Sequence, residues 1–245
     1  MEQKKGADFR FFEELNDFLP SEKRKQWFTY YFKGNPSIKD SIEANGVPHT
    51  EIDLIMVNGN SVGFEYQLKD GDRVSCYPVF ESFDIAGLTR LREEPLRNTK
   101  FILDVHLGKL ARVLRMLGFD SLYSNKYEDR EIVDIARAEN RIILSRDIGL
   151  FKRRDVTHGY WVRSTHSEVQ AFEVLKRFDL FRKIMPFTRC KACNSPLVPI
   201  EKEKILHRLE PKTRKYYNDF YTCRKCGRIY WKGSHYYSML EKIHA

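Results

Sequence analysis

No stretch of this 245-residue chain approaches the ~20 consecutive apolar residues that a membrane helix needs. Its first ten residues, Met1 to Arg10, lack the apolar core of a secretory signal. Membrane and secreted classes are therefore disfavoured, and a cytoplasmic protein without a membrane partner is expected. Cysteine is scarce: there are five, of which four stand as two C-x-x-C pairs and Cys76 stands alone. Without an oxidising compartment, close pairs of this kind read as metal or redox sites before disulfides. There is no internal repeat and no low-complexity tract. No Ser/His/Asp or Cys/His set is recognisable either, so covalent nucleophilic catalysis has no foundation in the sequence.

Apolar residues make up 42% of the chain and charged residues 31%, enough to bury cores in two or three modules. The formal net charge of +9 is unevenly spread. Residues 1–97 hold 13 Lys/Arg against 17 Asp/Glu, a net −4, whereas residues 98–245 hold 30 against 17, a net +13. A cationic region joined to an acidic one points to a polyanion partner for the cationic part alone, and nucleic acid is the expected one.

Three segments are expected: 1–86, a linker over 87–99, then 100–186 and 187–245. In the first, Arg10–Leu19 and Lys25–Phe32 read as strand- or helix-like stretches around Pro20. Ser37 is a plausible N-cap for a helix over Ile38–Ala44, because its hydroxyl can accept an orphan backbone N–H. A buried strand over Ile52–Val57 ends at Asn58-Gly59, a hairpin signal. Asp70-Gly71 marks a second turn before a strand over Arg73–Val79. These turns at this spacing, with Leu68, Val74 and Pro78, resemble the small β-grasp, ubiquitin-like family of sulfur carriers and RNA-binding adaptors. Sulfur carriers end in a free Gly-Gly tail. Here the chain runs on through Ala86-Gly87-Leu88, which argues against sulfur transfer and for either an adaptor role, with a protein partner, or a packing role.

In the second segment, 100–105 is a short apolar strand ending at Asp104. Leu107, Leu110, Ala111, Leu114 and Leu117 follow at helical spacing, and Gly118 stops the helix. A strand over Ser121–Ser124, a helix from Asp129, a strand over Arg141–Leu144, a last strand over Tyr160–Val162 and a helix over 167–178 complete an α/β pattern. Strands joined through helices in this way run parallel, so their C-termini share one edge. Asp104, Asp129 and Asp147 all fall on that edge. Each has an ordinary explanation, since aspartate caps helices and turns. Together they would repel unless a cation neutralised them, and oxygen ligands select Mg²⁺ or Mn²⁺.

The ordered set Leu103-Asp104-Val105, Leu107 to Arg112, Leu114 to Phe119, Asp129 to Ile132 with Ala136, and Ile143 to Asp147 resembles PIN-domain nucleases, and more closely the Mut-seven C-terminal ribonuclease family. The resemblance implies a parallel sheet flanked by helices and metal-dependent hydrolysis of RNA by acidic residues, here Asp104, Asp129 and Asp147. Glu131 and Asp155 are the candidates for a fourth acid. Lys109, Arg112 and Arg115 recur every three residues along the first helix and read as a basic stripe for phosphates, with Arg146 placed for the scissile phosphate.

Cys190-x-x-Cys193 and Cys223-x-x-Cys226 form two knuckles that together complete a tetrahedral Zn²⁺ shell. Four protein ligands leave no open position, so this zinc is structural. The insert and the strand after it interleave Lys202, Lys204, Arg208, Lys212, Arg214 and Lys215 with Tyr216, Tyr217, Phe220, Tyr221, Tyr230, Trp231, Tyr236 and Tyr237. Cations beside aromatics describe a surface for single-stranded or structured RNA, and at least half of these rings are expected to pack the ribbon core instead. The competing readings are a non-catalytic RNA-binding adaptor and a phosphoacceptor domain. The latter needs a lysine at a late strand end, where this chain has Val162-Arg163.

Overall fold

The computed structural model describes residues 5–78, 99–153, 155–233 and 236–237. The expected linker up to residue 98, Val79 at the end of its strand, Arg154 and Ser234-His235 lie outside the described residues. The chain forms two compact units, Met1–Asn98 with Asp147–Trp161, and Thr99–Arg146 with Val162–Ala245.

The first unit is built on a five-stranded sheet. β1 (Lys5–Phe11) and β2 (Phe28–Phe32) pair antiparallel, α1 (Ile38–Ala44) follows, β3 (Leu54–Val57) and β4 (Asn60–Val62) make a hairpin, and β5 (Arg73–Tyr77) lies parallel to β1 and antiparallel to β3. This is the ubiquitin-like arrangement. The local chemistry is legible throughout. Ala7, Phe9 and Phe11 alternate inward along β1. Ser37 Oγ accepts the Asp40 N–H at 3.1 Å and caps α1, which sinks Ile38 and Ile42 into a core with Phe9, Ile55 and Val74. Val57 pairs with Asn60 across a loop whose two residues, Asn58 and Gly59, both take left-handed φ values of 49° and 83°. That is the turn whose twist matches a two-residue hairpin. Asp72, buried behind the second turn, accepts from Lys69 N, Asn58 Nδ2 and Tyr66 Oη. Cys76 is fully buried, and burial pushes its thiol far above the ordinary range, which makes it an inert core residue.

The second unit begins with three parallel strands, β6 (Lys100–Leu103) between β7 (Asp120–Tyr123) and β8 (Ile142–Ser145). Leu103 stands in register with both Tyr123 and Leu144, so the C-terminal ends of the three strands are flush. α2 (Gly108–Met116) and α3 (Asp129–Glu139) make the connections. α2 turns its apolar side, Leu110, Ala111 and Leu114, into the core. Gly118 ends this segment for two reasons: its φ is +100°, and a Cβ would lie 2.2 Å from the Met185 carbonyl. Met185 N donates to Leu117 O at 2.9 Å in the same close approach.

The stretch from Asp147 carries α4 (Ile148–Phe151) and β9 (Gly159–Trp161) and belongs to the first unit. It is held there by Glu51, whose Oε1 accepts the Trp161 N–H at 2.6 Å, and by His49 Nε2, 2.8 Å from the Val156 carbonyl. The Phe18 and Trp161 rings lie 5.0 Å apart. The strand expected over 160–162 thus forms as β9, one residue earlier. Val162, just past it, donates its N–H to Ser145 O at 2.8 Å, at the end of β8.

α5 (Ser167–Arg177) lies in the second unit, where it packs on α2. A small antiparallel sheet closes the chain: β10 (Leu197–Ile200), then α6 (Pro211–Tyr216), β11 (Phe220–Cys223) and β12 (Ile229–Trp231), with β11 in the middle. Its buried core consists of Ile205, Leu209 and Phe220, with Tyr217 and Trp231 packed half-buried against them. Among the described residues, no helix is long and apolar enough to cross a membrane.

Candidate functional site

Asp104 directly follows the buried strand β6 and is 5% exposed. A buried carboxylate must be hydrogen-bonded, and this one is. Oδ1 accepts the Val105 N–H at 2.5 Å, capping a single 3₁₀ turn, and Oδ2 accepts the Ser145 hydroxyl at 2.6 Å. Asp104 N donates to Leu144 O at 3.0 Å, which fixes its backbone to the end of β8. Each carboxylate oxygen has a second lone pair that these bonds leave unused. Ser145 is a partner the sequence does not disclose. Only the register of two parallel strands brings it to Asp104, 41 residues away.

Asp129 opens α3 and is exposed. The cap position itself is held by Glu128, whose side chain makes no capping bond. Asp129 is therefore a first-turn acid, favoured by the helix dipole, and not the N-cap that its sequence position allows. Both Asp104 and Asp129 lie in the second unit on the C-terminal side of β6 and β7. Asp147 begins the stretch assigned to the first unit and is exposed; its Oδ1 accepts the Gly149 N–H at 2.8 Å and caps α4. Of the two fourth-acid candidates, Glu131 is an exposed first-turn residue, and Asp155 is engaged by Arg153 in a two-pronged pair at 3.1 and 3.2 Å.

Lys109, Arg112 and Arg146 line up differently from Arg115. Lys109, Arg112 and Arg146 are all exposed. Arg115 is 4% exposed, and its guanidinium donates to the carbonyls of Ser121 at 2.8 Å, Ala192 at 3.1 Å and Lys191 at 3.4 Å. The expected stripe of three cations thus reduces to Lys109 and Arg112. A three-residue step advances ~300° around a helix, so two steps turn a side chain ~120° away from where the run began. Arg115 faces inward and ties α2 to the first cysteine knuckle. Burial lowers its pKa from the ordinary arginine value, while Cys190, Cys193 and Asp120 nearby oppose that shift.

The four cysteines converge, with all four Sγ atoms within 4.8 Å of one another. Cys190 and Cys226 are 3.6 Å apart and Cys193 and Cys223 are 3.4 Å apart. A tetrahedral shell with ~2.3 Å zinc–sulfur bonds spaces its sulfurs about 3.8 Å apart, so the set fits zinc. Among the described residues, this is the one group of three or more His, Cys, Asp and Glu side chains dense enough to hold an ion. The knuckles repeat one design. Asn194 N donates to Cys190 O at 2.9 Å and Gly227 N to Cys223 O at 2.8 Å, and the residue after each second cysteine is left-handed, Asn194 at φ 64° and Gly227 at 67°. Glycine in that place is an obvious signal. Asparagine is the other residue that visits this region routinely, so Asn194 carries the same signal in a quieter form. The Tyr230 hydroxyl lies 3.1 Å from Cys190 Sγ, and burial followed by that contact raises its pKa.

The first knuckle is welded to the sheet edge. Asn194 Oδ1 accepts the Ser121 N–H, and its Nδ2 donates to Asp120 Oδ1 at 2.8 Å; Arg141 and Arg189 reach the same carboxylate at 2.7 and 3.0 Å. Burial pushes the Asp120 pKa up, but the hydrogen bonds from Arg141 and Asn194 and the charges of Arg141 and Arg189 outweigh it, and the result lies below the ordinary carboxylate value. A carboxylate held low in the fold contributes stability that is complete above its unfolded pKa of ~3.9 and lost only as pH falls through the folded value. Asp120→Asn should therefore cost about 2 kcal/mol, the worth of its charge-assisted hydrogen bonds. The deficit should be constant from pH 6 to 8. Urea unfolding across that range checks it, and a deficit that changes with pH would assign the effect to another group.

Residues 99–243 match the family model of the Mut7-C RNAse domain, and residues 4–84 match that of the Mut7-C ubiquitin domain. Among curated proteins, the exonuclease mut-7 homolog of Homo sapiens is 36% identical over 106 residues, a stretch that covers 41% of this chain and 12% of the human protein. No solved structure matches the chain. The RNAse match alone spans more than half of the sequence, and its limits enclose the sheet that carries Asp104 as well as the cysteine centre. The chain belongs to the Mut7-C RNAse family and joins that domain to a Mut7-C ubiquitin domain.

Proposed function

We propose that the protein is a cytoplasmic PIN-type ribonuclease that hydrolyses RNA phosphodiester bonds at an acidic edge formed by Asp104, Asp129 and Asp147. The observation that carries this reading is the Asp104–Ser145 hydrogen bond across the flush ends of β6 and β8. Asp147 follows Ser145 by two residues, and chain geometry limits the separation of their Cα atoms to about 7 Å. Asp129 enters from the end of β7. The donors are all carboxylate oxygens, the ligand type that suits Mg²⁺ or Mn²⁺, and a bound ion would draw the three acids closer together than they stand without it. A hard ion held there by these carboxylates would lower the pKa of a bound water and offset charge on the leaving oxygen.

The chain's own residues do the rest. Val105 N–H and Ser145 Oγ–H fix the Asp104 carboxylate in one orientation. Arg146, between Ser145 and Asp147, supplies a cation for the phosphate under attack. Lys109 and Arg112 on α2 and the cationic ribbon hold the strand by its backbone. The four cysteines hold a structural zinc, and the ubiquitin-like domain over 1–86 docks a protein partner.

The alternative, a non-catalytic RNA-binding adaptor, draws on one observation: Asp104 and Asp147 each cap a short helical turn. The two readings separate on incubation of the full chain with single-stranded RNA and Mn²⁺, wild type against Asp104→Asn. Cleavage confined to the wild type supports the nuclease. Intact RNA in both, with binding retained, supports the adaptor.

A further inference from the structure

The second unit contains a cleft of about 580 Å³ between the end of α2 and the cysteine-bearing sheet. Its walls include the rings of Phe187, Tyr216, Trp231 and Tyr236 and the cations Lys191 and Lys212, and no Asp or Glu is among the described residues that line it. We infer that this cleft is a binding site for one or two unpaired nucleotides of RNA, which stack between its rings while Lys191 and Lys212 meet the phosphates. The inference rests on the reading of the chain as an RNA-handling protein and gives that reading a specific grip, separate from the acidic edge.

Three features distinguish the cleft from packing of the small sheet. The buried core of that sheet is Ile205, Leu209 and Phe220, and Trp231, only half-buried against it, also lines the cleft. Tyr216, by contrast, is 67% exposed and gains nothing from burial where it stands. Phe187 has a left-handed backbone, φ 59°, which costs a bulky residue energy and is found where a site dictates the conformation. That backbone presents its ring to Tyr236, another wall residue, at 4.9 Å, and the ring also stacks on Tyr221, outside the lining, at 5.3 Å.

The volume falls in the ~300–1,000 Å³ range of ligand sites. Bases offer π-faces to such walls whatever their sequence, provided they are unpaired. An acid-free rim with two lysines disfavours a basic ligand and favours a polyanion. Lys191 sits inside the first knuckle, between Cys190 and Cys193, so the cleft is assembled by the cysteine centre.

The test is binding of fluorescently labelled hexauridine to the full zinc-loaded chain, without Mg²⁺ or Mn²⁺, followed by anisotropy. Tyr216→Ala and Lys212→Glu both change exposed side chains and should leave zinc content and circular dichroism unchanged. Tyr216→Ala should weaken binding about five- to hundred-fold, the range of one lost base stack. Lys212→Glu should weaken it and flatten its salt dependence. A blunt RNA duplex of the same length should bind at least about tenfold more weakly than the single strand. Unchanged affinity in both variants, or equal affinity for duplex and single strand, overturns the inference even if the chain cleaves RNA. Weakened binding in the variants upholds it even if the chain cleaves nothing.

Discussion

Asp104→Asn should abolish RNA cleavage, lowering the rate by about 10³-fold or more, equivalent to ~4 kcal/mol of lost transition-state stabilisation. It should leave the affinity for RNA within about twofold, because Lys109, Arg112 and the ribbon are untouched and phosphate contacts dominate affinity. The fold should tolerate the change. The asparagine carbonyl can still accept the Val105 N–H, and its amide can donate to Ser145 Oγ where the carboxylate accepted from it. Only the charge is lost, and with it the capacity to hold a hard cation. Ser145→Ala gives a graded companion: Asp104 keeps its charge but loses one of the two bonds that orient it. Cleavage should fall about 10- to 100-fold, as when the partner of a metal ligand is removed. Rates and affinities measured on the same protein preparations check both results. Wild-type cleavage by Asp104→Asn would remove Asp104 from the chemistry.

Removing zinc should have the larger effect on structure. The sheet of β10 to β12 has only Ile205, Leu209 and Phe220 fully inside, too small a core to stand alone. A structural Zn²⁺ in such a setting supplies folding free energy directly, of order 10 kcal/mol in zinc-finger peptides. Chelation, or Cys223→Ser, should therefore unfold this part of the chain. The damage should spread into the nuclease core, because Arg115, Asn194 and Asp120 join the first knuckle to α2 and β7. Melting should drop by at least about 10 °C, given ~2–4 °C per kcal/mol for a unit of this size. Hydrogen exchange should rise over 187–233 and also at Ser121. Exchange confined to the ribbon, with Ser121 still protected, would show that the junction does not transmit the loss.

Much of this architecture is legible in the amino-acid sequence. Local signals are reliable where one short-range interaction decides the outcome. The Ser37 cap, the Asn58-Gly59 hairpin and the Gly118 stop are of that kind, and all three appear as expected. The parallel α/β pattern follows from its alternation, and the cysteine convergence from its spacing. Arg115 misleads because cations in a row read as a surface, whereas helical rotation carries the third one inward onto backbone carbonyls. Asp129 sits one place past the cap because Glu128 takes that position by backbone geometry alone. The membership of Asp147–Trp161 in the first unit is hidden for a different reason. It depends on Glu51 meeting Trp161 and His49 meeting Val156, contacts 110 and 107 residues long in sequence with no pattern of their own. The same is true of Ser145 and Asp104.

The claim that Asp104, Asp129 and Asp147 share a hard cation is tested most directly by a crystal of the full chain soaked in Mn²⁺ and measured by anomalous scattering. Zinc density at Cys190, Cys193, Cys223 and Cys226 serves as the internal control. A second peak bonded by the Asp104 carboxylate at about 2.1 Å, with Asp147 and Asp129 turned toward it, is the expected result. Full density at the cysteines with nothing bound at Asp104 would contradict it.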